Sequence, residues 1–228
     1  DAVTQEIPVL LDVTPETTAT GGIVAGEPGV EAVYLPPWAI LKNGLLRVSV
    51  QATLVGSMSE ELAQYPSRPF EDTAYIASRL IANIAVARAE RSAGKTPGNG
   101  STITSDLAAL VSRQRPDGGW PWCMDPRCPS DPNVSGWVML ALGEARRDGL
   151  TFSDTGLGSA RSYLSAYINR AADVAYPADP NQKAFMLAAI AAVDRDEAAM
   201  TPARALFEQY RSQLNNWGRA YLALALAD

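Results

Sequence analysis

The sequence predicts a mainly α protein, an α/α solenoid or partial toroid opened by a short β-rich segment. Three observations carry this. From Asp72 onward the apolar residues recur at a period of about 3.6, with Ala and Leu dominant. Segments 136–142, 184–189 and 219–225 repeat one theme, an aromatic residue within a Leu/Ala run that is apolar nearly all round. Helices of that kind are buried on both sides, and alternating them with amphipathic ones builds stacked helix pairs. The first stretch, by contrast, is rich in Thr, Val, Gly and Pro.

In that stretch Leu46, Val48 and Val50 alternate with Arg47 and Ser49, the pattern of a half-buried strand. Ile7-Pro8-Val9-Leu10-Leu11-Asp12-Val13 and Gly21-Gly22-Ile23-Val24 read as further extended segments. Pro8 and Pro36-Pro37 keep helix away. Two or three strands in residues 1–55 cannot make a sandwich alone, so they need partner strands or lie along the rest. Residues 56–228 are expected to form the helical domain.

Thr73–Ser92 is the longest predicted helix, with Ile76, Leu80, Ile84 and Val86 as its apolar stripe and Asp72 or Thr73 as N-cap. Residues 93–100 are a loop. Ser105 is expected to cap a short helix through Ser112, stopped by Pro116-Asp117-Gly118-Gly119. Later helices are expected near 134–147, 155–170, 181–193, 202–213 and 216–227. The last apolar run has neither cap nor polar tail and asks for a covering helix, so the chain reads as a truncated toroid from a longer parent.

Composition narrows the chemistry. The chain has 228 residues, enough for one or two domains at roughly 150 residues each. Its net charge is −6, and Lys occurs only at Lys42, Lys95 and Lys183, which argues against a nucleic-acid partner. There is no histidine, which excludes Ser-His-Asp and Cys-His catalysis and His-ligated zinc. No apolar run reaches the roughly 18 residues of a membrane span. The start at Asp1, with no targeting pattern, implies a removed leader or a piece of something longer. Cys123 and Cys128 share a Pro-rich loop; they fit a local disulfide or two free thiols, and cannot make a structural zinc site alone. A loop this short would gain roughly 2 kcal/mol from the bond and would place the chain outside the reducing cytoplasm.

Two segments carry a family resemblance. Arg68-Pro69-Phe70-Glu71-Asp72-Thr73-Ala74-Tyr75-Ile76-Ala77-Ser78-Arg79 resembles the thioester region of bacterial α2-macroglobulins, roughly Tyr-Pro-Phe-Glu-Cys-Thr-Glu-Gln-Ile-Ala-Ser-Arg. Gln114-Arg115-Pro116-Asp117-Gly118-Gly119-Trp120-Pro121-Trp122, then Ser130-Asp131-Pro132-Asn133-Val134, is similar to a later part of the same domain. Asn216-Trp217-Gly218-Arg219 fits a later helix still, and Thr14-Pro15-Glu16 is similar to the CUB segment that leads into it. The chemistry departs from the family. The resemblance puts Asp72 at the thioester Cys, Ala74 at the Glu and Tyr75 at the Gln, so no thioester can form. Cys123 and Cys128 lie in another loop and cannot replace it.

The resemblance implies a non-catalytic module of a protease-trapping endopeptidase inhibitor, with no cofactor or metal. Its partners would be proteases, met through the full-length parent, and other domains of the same chain. Its place would be extracytoplasmic: periplasmic, cell-surface or secreted. A second resemblance competes: Gln114, Gly118 and Trp120 fit the Gln-x3-Gly-x-Trp repeat of squalene-type terpenoid cyclases, also α/α toroids. Physically that motif is a helix stop that serves any toroid. The nearest string to a cyclase proton donor, Asp194-Arg195-Asp196-Glu197, reads as a charged loop before a helix starting at Pro202. A plain helical interaction domain is the third reading. Trp120-Pro121-Trp122 reads as a plug at a helix-pair end, or else as an exposed aromatic patch. Arg146-Arg147-Asp148 reads as a charge cluster complementing a helix dipole, and Arg88, Glu90 and Arg91 as a solvated helix end.

Overall fold

The structure, a computed structural model, describes residues 16–24, 26, 28–40, 42, 44–50, 71–169, 179–194 and 197–227. The Ile7–Val13 segment, Arg68-Pro69-Phe70 and Arg195-Asp196 lie outside the described residues. The chain divides into two units, Asp1–Val50 and Gln51–Asp228.

The described residues of the first unit form no strand. The half-buried strand expected at 44–50 is therefore corrected: Leu46 is 80 %, Val48 76 % and Val50 90 % exposed. An alternating pattern becomes a strand only where a neighbour takes its backbone groups and a surface takes its apolar face.

The second unit is mainly α. Its described helices are α1 (Thr73–Ser92), α2 (Gly100–Ser112), α3 (Pro132–Arg147), α4 (Leu157–Ile168), α5 (Pro180–Val193), α6 (Glu197–Tyr210) and α7 (Asn216–Leu226). A 3-10 turn, Asp154–Gly156, leads into α4. A two-stranded antiparallel ribbon, β1 (Trp120–Pro121) with β2 (Ser130–Asp131), precedes α3 and pairs Trp120 with Asp131 and Pro121 with Ser130.

Most helix ends follow local chemistry. Asp72 accepts a bond from the Tyr75 amide at 2.7 Å and starts α1. Gly94, at φ +73, ends it by returning the chain so that the Lys95 amide meets the Glu90 carbonyl at 2.8 Å. Asp131 caps α3 through the amides of Asn133 and Val134, with Pro132 in the first turn. Asn215 caps α7 through the Gly218 amide.

Two starts differ from expectation. Ser105 lies inside α2, not at its cap, because the helix begins a turn earlier and buries Ile103 with Leu107 and Leu110. Burial of that stripe outweighs the loop-like Gly-Ser-Thr composition. Likewise α6 begins at Glu197, with Pro202 inside it rather than at its start.

The odd-numbered helices form a row: α1 packs on α3, α3 on α5 and α5 on α7. The even ones flank it, α2 on α1, α4 on α3 and α5, and α6 on α5 and α7. One core runs through the row, from Ile76, Leu80 and Ile84 through Val138, Met139 and Leu142 to Met186, Leu187 and Leu222. Helices α3 and α5 are covered on both sides, as expected, whereas α7 buries only Gly218, Leu222 and Ala225 and leaves Trp217 and Leu224 exposed. Gly136 and Gly143 let α3 and α5 approach closely: a Cβ on Gly136 would sit 2.7 Å from the Phe185 ring, and one on Gly143 2.7 Å from the Ala192 carbonyl oxygen.

Candidate functional site

The opening turn of α1 carries the positions that the sequence singles out. Asp72 sits at the N-cap in extended backbone (φ −71, ψ 164), and its carboxylate takes the Tyr75 amide. Residues 72 and 75 are thus joined by a hydrogen bond. Ala74 contributes only a methyl group. The half-buried Tyr75 ring lies under the Arg79 guanidinium, 5.3 Å from ring centre to Cζ. Nothing in this turn supplies a thiol or an acyl carbon bound to one.

Arg79 is the centre of a charge cluster. Its Nη1 and Nη2 donate to the two oxygens of Glu71, the second at 3.1 Å. Its Nε and Nη2 reach Asp106 of α2 at 3.0 and 2.6 Å. The Asp106 side chain is only 1 % exposed. The hydrogen bonds that Arg79 donates to Asp106, with a smaller share from those to Glu71, raise the Arg79 pKa against the opposing effect of burial. Arg113, at the end of α2, donates from Nη1 to the Glu71 carbonyl at 3.0 Å, and desolvation lowers its pKa against the attraction of Glu71 and Asp72. The cluster ties the residue before α1 to α1 and α2.

The β1–β2 connection closes over the same turn. The Thr73 amide donates to the Trp122 carbonyl at 3.3 Å. The Thr73 side chain is fully buried and its hydroxyl has no hydrogen-bond partner. Cys123 and Cys128, in this connection, are bonded to each other with Cα atoms 6.0 Å apart. The cysteine loop is therefore a neighbour of the residue-72 turn in space, with its sulfurs engaged.

An aromatic row runs along the odd helices at the same end. Ser78, Trp137, Phe185 and Tyr221 each stand sixth in their helix. Trp137 Nε1 donates to the Ser78 hydroxyl at 2.8 Å. Ring centres are 6.4 Å apart for Trp137–Phe185, 5.1 Å for Phe185–Tyr221 and 5.7 Å for Phe185–Trp217. Burial raises the Tyr221 phenol above its ordinary pKa.

The tryptophans of the Trp120-Pro121-Trp122 string divide. Trp120 is 1 % exposed, donates from Nε1 to the Leu110 carbonyl at 2.7 Å, and accepts no role at the surface. Trp122 is 57 % exposed. Gln114 spans the preceding Gly turn, its Nε2 donating to the carbonyls of Gly118 at 2.9 Å and Gly156 at 2.7 Å. A cleft of about 300 Å³ beside this turn is lined by Gln114, Arg115, Ser153 and Thr155 among others, with no carboxylate among its described lining residues. Asp194 is exposed and faces Arg161 at 3.4 Å, while Glu197 is the first residue of α6 rather than part of a loop.

Two expected charge clusters stand at helix ends and gain partners there. Asp148, its side chain 5 % exposed, receives Arg91 at 2.5 Å and Arg88 at 3.3 Å, and Arg146 donates to the Val193 carbonyl at 2.9 Å. These residues link α1, α3 and α5 at their far ends, while Arg88 and Arg91, with side chains 46 % and 48 % exposed, keep the solvated character expected of this helix end. Asp106, Arg113 and the Ser78–Trp137 bond had no sequence signal: the partners are far apart in the chain and meet only through helix packing.

No family model matches the chain, and no curated protein gives a significant match. Among solved structures the chain is similar to native alpha-2-macroglobulin from Escherichia coli, spanning domain MG7 to the C-terminus, with TM-score 0.57 and 18 % identity. The match covers 75 % of this chain and 28 % of that one. The likeness is one of fold: this helical arrangement also occurs within the C-terminal region of a bacterial alpha-2-macroglobulin.

Proposed function

We propose that this chain is a thioester-like domain, with its CUB lead-in, of an α2-macroglobulin-like protein that traps proteases by steric or non-covalent contact. The observation that carries the reading is the Asp72–Tyr75 bond. The positions at which the resemblance puts the thioester Cys and Gln are joined by an N-cap hydrogen bond, and Glu71, Arg79 and Asp106 brace the same corner. The shared fold supports it. On this reading the helix row is an arc of an α/α toroid, and the domain offers a rigid contact surface without catalysing anything. The Cys123–Cys128 bond supports an extracytoplasmic place.

The test uses the full-length protein that carries this segment, mixed with a broad-specificity protease. A shielded protease keeps its activity on a small peptide ester and loses it on a large protein substrate. Equal retention of both activities overturns the reading.

A further inference from the structure

We propose that the Cys123–Cys128 disulfide is a redox-sensitive latch on the opening turn of α1, released by a dithiol reductant. Release would free the Thr73 amide that the Trp122 carbonyl now holds. The inference does not depend on what the domain contacts.

The first-turn amides of a helix have no partner within the helix. In α1 the Tyr75 amide goes to Asp72, and the Thr73 amide goes to Trp122, which belongs to another element. Trp122 directly follows β1 and directly precedes Cys123. The ribbon fixes the connection at its base through Trp120–Asp131 and Pro121–Ser130. Beyond that base, the Asp125 carboxylate takes the Arg127 amide at 2.8 Å and its Nη2 at 2.7 Å, on the exposed side of the connection. The disulfide closes residues 123–128 into a ring, the Cys128 amide bonds the Asp125 carbonyl at 2.9 Å, and Arg115 Nη2 bonds the same carbonyl at 2.8 Å. Opening the ring removes the covalent closure and leaves Trp122 tied forward only through the hydrogen bonds at Asp125.

The bond is placed for reaction. Both cysteines are half-buried, and Trp122 and Met124 beside them are 57 % and 62 % exposed. One thiolate of the dithiol attacks a cysteine sulfur, the Cys123–Cys128 bond breaks, and the departing sulfur takes a proton. The second thiol of the reagent then displaces the mixed disulfide. The chain gains two electrons and two protons as two thiols, and the reductant leaves as its own disulfide. The Thr73 side chain whose amide the loop holds is itself buried, with its hydroxyl unpartnered.

The experiment is amide hydrogen exchange on the native chain, oxidised, reduced with dithiothreitol, and reoxidised. Alkylation confirms two thiols in the reduced sample. Reduction should speed exchange at Thr73 and across 122–129 by about tenfold, leave α5 and α7 unchanged, and reverse on reoxidation. The Cys123→Ser/Cys128→Ser double variant should show the same local change without reductant. Unchanged exchange at Thr73 in the reduced chain overturns the proposal. So does acceleration throughout α3, α5 and α7, or an unfolded double variant, because the bond would then be a global staple.

Discussion

Asp106 is a carboxylate in the interior of a helix pair, and the Arg79 guanidinium neutralises it. Removing that partner leaves a charge buried and unpaired. Arg79→Ala should therefore cost about 3–5 kcal/mol in urea unfolding, and Arg79→Lys should recover only part, because an ammonium cannot bridge Glu71 and Asp106 together. Asp72→Ala should cost about 1 kcal/mol, the worth of one N-cap. Methylamine treatment followed by peptide mass mapping should leave residues 68–80 unmodified. At Tyr221 the raised folded-state pKa means that folding disfavours the phenolate. Its contribution is neutral below the ordinary tyrosine pKa of about 10 and becomes destabilising as pH rises past it. An alkaline absorbance titration should lose a step above the ordinary tyrosine range in Tyr221→Phe. At this scale the sequence offered Asp72 or Thr73 as the N-cap of α1, and Asp72 fills it. It could not expose Asp106 or Arg113, because their pairing depends on how α2 lies against α1.

Helices end where the chain offers a cap or a glycine, and those ends were largely readable. Thr73–Ser92 matches its apolar stripe and its Asp72 cap, and the Gln114-to-Trp120 stop works as its chemistry suggests. Gly118 there is at φ +90, and a Cβ would lie 2.3 Å from the Ser159 carbonyl oxygen. Gly118→Ala is therefore strained in backbone and in space. Between α3 and α5 space is also short, a Cβ on Gly143 meeting the Ala192 carbonyl oxygen at 2.7 Å, and Gly143→Val should cost about 1–3 kcal/mol in thermal or urea unfolding, with α5 displaced. Elements defined by partners were harder to read. The start of α2 follows burial of Ile103, α6 runs through Pro202, and the 44–50 pattern carries no strand among the described residues.

Across the helical unit, one row of odd helices carries a continuous core, and its N-terminal ends gather the residue-72 turn, the cysteine loop and the aromatic row. The opposite ends are tied by Arg88, Arg91 and Arg146 through Asp148 and the Val193 carbonyl. Of the three Leu/Ala segments read as buried helices, those in α3 and α5 are enclosed on both sides, whereas the one in α7 leaves Leu224 59 % exposed. The registry that stands Ser78, Trp137, Phe185 and Tyr221 at one level was not visible in the sequence, since it arises from packing of separate turns. The proposed role asks this unit to hold its α1 corner without a covalent bond and to engage a protease without forming one.

The most direct measurement is denaturing electrophoresis of the full-length protein after protease challenge, beside gel filtration of the same mixture under native conditions. The account predicts that the protease co-elutes with the protein when native and separates from it completely when denatured. A protease-containing adduct that survives denaturation and reduction, or no co-elution at all, would contradict it.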